Sequence, residues 1–130
     1  MTDKHGVTWW SELVTRNPEA ARSYYGAVCG WGWDRMETGE GGSYHVALAQ
    51  GRPVAAVMDM TGVPGMDRVP TRWFTYIAVD DVDAAAKATE ERGGKVIRAP
   101  FEVPGVGRIA ILEDPGGAAV GMMTPAAMTG

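Results

Sequence analysis

Apolar and polar residues alternate over 7–15 (VTWWSELVT), the two-residue period of a strand with one face buried. Asn17-Pro18-Glu19 follows as a helix start: a capping side chain, a proline at the first helical position and an early acid. A helix is therefore predicted through AARSYYGAVCG, closed by Gly26 and Gly30, with Tyr24, Tyr25, Val28 and Cys29 as its apolar stripe. Three strands are predicted next, over 31–37, 43–49 and 53–60, with Gly39, Gly41, Gly42 and Gly51 between them. Residues 61–70 (TGVPGMDRVP) are turn-rich and read as a connector.

The second half repeats this order. Residues 72–79 read as a strand, Asp81 caps a helix running to about Arg92, and Gly93-Gly94 stops it. KVIRAP, a loop FEVPGVG over 101–107, RIAILE, a turn over 114–117 and AAVGMMT complete it. Trp10 then aligns with Phe74, Leu13 with Ile77, Asn17 with Asp81 and Leu48 with Leu112. The chain reads as one α+β domain of two βαβββ modules, about 6–60 and 71–125. A single helix leaves much of a four-stranded sheet uncovered, so the modules are predicted to curl around a shared interior with a ligand cleft.

Composition narrows the function. At 130 residues with 45% hydrophobic and 22% charged residues, the chain suits an ordinary globular core. Its net charge of −4 and the lack of Lys/Arg clusters argue against a nucleic-acid partner. No run of about 18 apolar residues suggests a membrane span, and no signal-type leader is evident, so a cytoplasmic location is expected. The lone Cys29 excludes an internal disulfide and is expected to be buried and inert. His5 falls in a start expected to be disordered. No G-x-x-x-x-G-K-S/T phosphate loop occurs. The anomaly is five tryptophans: Trp9, Trp10, Trp31, Trp33 and Trp73.

The segments NPEAARSYYGAVCGW, AVDDVDAA and LEDPGGAAV, in this order and spacing, resemble the vicinal oxygen chelate superfamily of glyoxalase, bleomycin-resistance and extradiol-dioxygenase proteins. The resemblance implies a half-open, curled mixed sheet around a central cavity with helices outside, commonly as a homodimer. It also implies metal ligands on the first and last strands of each module. Carried over by position, these fall at Trp10, Phe74, Gly121 and Ala55 (or Ala56 in a register shifted by one), none of which binds a hard or borderline cation. No metal or other cofactor is expected at that site.

Strand parity puts Trp10, Glu12 and Val14 on one face and Phe74, Tyr76 and Ala78 on its counterpart, and by the resemblance these faces line the cavity. With Ala55, Gly121 and Met123, the rings would form a slot for a hydrophobic or aromatic small molecule, held without metal as in bleomycin-resistance-like sequestration. A packed core with no ligand is the plain alternative for Trp10 and Phe74. Glu12 among rings would be desolvated, which suits a general acid or base. The second hypothesis is therefore a metal-independent lyase or isomerase using Glu12 with Tyr76 or His45, although a carboxylate paired with an arginine serves structure equally well. A metalloenzyme with displaced ligands (Glu12, His45, Glu113) ranks last. The facing of His45 stays open, and Arg108 is expected to pair with Glu102 or Glu113.

Overall fold

The computed structural model describes residues 4–37 and 43–126, so the glycines at 39, 41 and 42 lie outside the described residues. The elements run β1 (Thr8–Thr15), α1 (Pro18–Cys29), β2 (Gly32–Glu37), β3 (Ser43–Ala49), β4 (Arg52–Asp59), β5 (Arg72–Ala78), α2 (Val82–Glu91), β6 (Lys95–Val103), β7 (Gly107–Glu113) and β8 (Ala119–Pro125). The fold is α+β, and the βαβββ order occurs twice. Two compact units cut across this repeat: a first unit, Trp10–Phe74, and a second that joins residues up to Trp9 to those from Thr75 onward. Backbone bonds explain why the chain start belongs to the second unit. Gly6 N–H donates to the Ala78 carbonyl, and Ala78 N–H to that of Val7. His5, expected in a disordered start, instead accepts a 2.9 Å bond from Asp80 N–H through Nδ1.

In the first unit the strand order is β2-β3-β4-β1, with β1 parallel to β4 and the other pairs antiparallel. Asn17 Oδ1 accepts from Ala20 N–H at 3.1 Å, and Gly30, at φ 72°, ends α1 in the left-handed conformation that glycine adopts without cost. Leu13, Ala47, Ala55 and Val57 are buried. The apolar stripe of α1 is not: no residue of this helix is buried, and Tyr24 and Val28 are 58% and 63% exposed. Cys29 is exposed as well, which corrects the expectation of a buried thiol; it ends a helix whose last turn the sheet leaves uncovered. Tyr25 stacks on Trp31 with centroids 5.4 Å apart and accepts a 3.0 Å bond from Trp73 Nε1, so these rings pack on one another.

The second unit has the order β5-β8-β7-β6, with β5 parallel to β8. Asp81 caps α2 by accepting from Asp83 and Ala84 N–H. Val82 and Ala86 then bury against Ala110 and Leu112, with Val96, Val120 and Met122 around them. β6 continues through residues 101–103, which the sequence reading places in a loop; register shifts on both sides of Arg98 absorb Pro100, which has no N–H for the ladder. The connector 61–70 is a series of tight turns in which the Arg16 guanidinium donates to the Met66 and Asp67 carbonyls. Among the described residues no helix is long and apolar enough to cross a membrane.

Candidate functional site

Strand register decides which side chains meet. In the first unit Glu12 pairs with Ala56 and Val14 with Met58 across β1 and β4, while Met58 pairs with Tyr44 across β4 and β3. Cross-strand partners share a face, so Trp10, Glu12, Val14, Tyr44, Val46, Ala56 and Met58 lie on one side. Ala55, His45 and Leu13 lie on the other. Ala55 is therefore corrected to Ala56, the second of the two registers weighed: Ala55 alternates to the opposite face from Glu12. His45 is buried on that opposite face, and burial together with Arg22 of α1 and Arg35 holds its imidazole below the ordinary range. It cannot work with Glu12.

Glu12 and Tyr44 form the polar centre of the first face. The Trp10 indole N–H donates to the Tyr44 hydroxyl at 3.2 Å, and the Tyr44 O–H donates to Glu12 Oε2 in a long bond of 3.5 Å. Glu12 is 7% exposed. Burial raises its pKa from the usual carboxylate range to about 7, against the lowering pull of the Tyr44 hydrogen bond. Burial, with the Glu12 charge next to it, also raises the Tyr44 phenol well above its ordinary value, so this group stays protonated as a donor. The result is a carboxyl that exchanges its proton near neutrality, oriented by a fixed phenol beside an indole. Tyr44 was not foreseen, because its facing depends on the β3–β4 register, which a bulge between Ala47 and Leu48 shifts. Phe74, with Arg72 5.7 Å from its ring centroid, is buried in the same unit.

In the second unit Tyr76 pairs with Gly121 and Ala78 with Met123. A Cβ on Gly121 would overlap the Tyr76 ring, so the ring lies directly on the glycine backbone. Met123 is buried on the same face. Arg108 is on the other side. Its Nε and Nη2 grip the Asp83 carboxylate at 2.8 and 2.9 Å, and Nη1 reaches Glu102 at 3.3 Å. Asp83 was not anticipated as its partner, and Glu113 does not take that role. A groove of about 450 Å³ beside this ion pair and an apolar one of about 540 Å³ under α2 are both helix-side features of the second unit, and neither is lined by Tyr76 or Gly121.

The divalent ion that the resemblance implies needs carboxylate, imidazole or thiolate donors. Trp10, Phe74, Ala56 and Gly121 offer no ligand atoms, and Glu12 and His45 face opposite sides of one sheet. Among the described residues no three His, Cys, Asp or Glu side chains gather closely enough to hold an ion. These residues do not fit a metal centre.

The Glyoxalase/Bleomycin resistance protein/Dioxygenase superfamily matches residues 5–122. The chain belongs to this superfamily. It is 39% identical over 126 residues to "Putative glyoxylase CFP32" of Mycobacterium tuberculosis, covering 97% of this chain and 47% of that protein. It is 33% identical over 135 residues to the anthracycline biosynthesis protein DnrV of Streptomyces peucetius, covering 96% and 49%. The chain thus spans about half the length of these curated relatives. Among solved structures, a methylmalonyl-CoA epimerase of Streptomyces coelicolor superposes with a TM-score of 0.70 at 17% identity, covering 95% of this chain and 99% of that one. A hypothetical protein of Bacillus halodurans gives 0.74 at 9% identity, covering 96% and 98%. These two similarities carry the fold alone.

Proposed function

We propose that this superfamily member binds a hydrophobic or aromatic small molecule against the Trp10 face and moves a proton on it through Glu12, without a metal ligand set. The observation that carries this reading is the buried Glu12 carboxyl, poised at about pH 7 and hydrogen-bonded by Tyr44. A base with a pKa near the working pH combines a useful ionised fraction with proton affinity. In the reaction envisaged, the Glu12 carboxylate takes a proton from a carbon next to a carbonyl, the C–H electrons pass into an enolate, and the carboxyl returns the proton to carbon. Tyr44 positions the carboxylate and does not leave its protonated state. The glyoxylase and anthracycline-biosynthesis names of the relatives are compatible with such chemistry and do not specify it.

The test uses tetralone, a flat ketone with acidic hydrogens, in heavy water, and follows deuterium uptake by NMR. Wild-type protein should catalyse exchange, and Glu12→Gln should lower the rate by at least about 100-fold. The same variant should still bind the neutral fluorophore phenylnaphthylamine. Exchange at the wild-type rate in Glu12→Gln would refute the proton-transfer step. Binding without turnover is the narrower reading, favoured by the Trp10 ring on the same face as the small Ala56, and it stands alone if phenylnaphthylamine binds but no exchange occurs.

A further inference from the structure

We infer that the sheet face of the second unit opposite α2 is a site for a planar organic anion, with Arg98 recognising its charge. This rests on the reading of the chain as a binder of flat apolar molecules and concerns the second unit by itself. Val96 belongs to the core beneath α2 with Leu112, and plain alternation would send Arg98 to the same side. The register shift between them prevents this. Arg98 instead lies opposite Ile111, and after a second shift Phe101 lies opposite Ile109, so both turn to the face that carries Tyr76 on Gly121. Bulges commonly re-aim a side chain in this way.

The Arg98 guanidinium sits 3.7 Å from the centroid of the Phe101 ring. Stacking occupies the flat side of a guanidinium and leaves the in-plane N–H groups available for a bidentate oxyanion. Among the described residues no carboxylate forms an ion pair with Arg98, whereas Arg108 on the opposite face holds two. One oriented cation thus borders a floor of Ile109, Ile111 and the Tyr76 ring. That combination fits a flat ring system bearing a carboxylate, sulfonate or phosphate. A structural alternative exists: β6 is the outer strand of this unit, and a charge there discourages pairing with another sheet.

Two fluorophores that differ by one sulfonate separate the ideas. Wild-type protein should bind anilinonaphthalene sulfonate more tightly than phenylnaphthylamine, and added salt should narrow the gap. Arg98→Gln should weaken the sulfonate by about tenfold and the neutral probe by less than about twofold, while Arg98→Lys recovers part of the loss. Displacement by naphthoate or by naphthyl phosphate then shows which oxyanion is preferred. Equal loss for both probes, or unchanged binding with new self-association in Arg98→Gln, overturns the site as an anion receptor. Binding of the neutral probe without any charge preference, or of neither probe, overturns this inference, while tetralone exchange still decides the proton-transfer step on its own.

Discussion

Glu12 owes its character to its neighbours. An exposed glutamate titrates near pH 4.5, and burial here carries the group to about 7. The Tyr44 hydrogen bond stabilises the ionised form and is the restraint that keeps the value from rising further. Tyr44→Phe should therefore move the pH midpoint of tetralone exchange above 7, whereas a residue that merely filled space would change the amplitude and leave the midpoint in place. The measurement is the exchange rate across pH 5 to 9, with the variant's folding checked by circular dichroism. Trp10→Phe removes the indole donor to the phenol and should move the midpoint less, because it acts on Glu12 only through Tyr44.

At the scale of elements, local chemistry did most of the specifying. Asn17 and Asp81 cap α1 and α2 as their positions before alanine-rich segments predict. Asn17→Ala should cost about 1 kcal/mol in urea denaturation, the usual value of such a cap. Gly121 illustrates a tertiary constraint: the Tyr76 ring occupies the space of any side chain there. Gly121→Ala should cost roughly 1–3 kcal/mol or displace the ring, readable as changed tyrosine and tryptophan near-UV signals. Both modules, both helices and the parity of β1 and β5 were legible because period and caps are local. The choice between Ala55 and Ala56, the facing of His45 and the role of Tyr44 were not, since each depends on how β3 and β4 register across a bulge. Arg98 was hidden for the same reason: two shifts in β6 break the alternation that a sequence reading relies on. The exposed surface of α1 had no signal either, because an apolar stripe predicts a buried face whether or not the sheet covers it.

For the whole molecule, a carboxyl kept near pH 7 is a cost that grows with pH. The folded chain holds the Glu12 proton more tightly than the unfolded chain, whose glutamate titrates near 4.5. Its contribution to stability is thus fully present below about pH 4.5 and is lost as pH rises through about 7. The shift corresponds to a loss on the order of 3 kcal/mol. His45 acts in the opposite sense, because its depressed pKa favours the fold as pH rises above the ordinary histidine range and that support is lost as pH falls. Wild-type stability alone mixes these two terms. Glu12→Gln keeps His45 and removes only the carboxyl, so the difference between variant and wild type isolates it. That difference should be small at pH 4.5 and should move in favour of the variant through pH 8, followed as the urea midpoint at each pH. A difference that stays flat over this range would mean that Glu12 ionises freely in the folded protein, and the proton-transfer proposal would lose its physical basis.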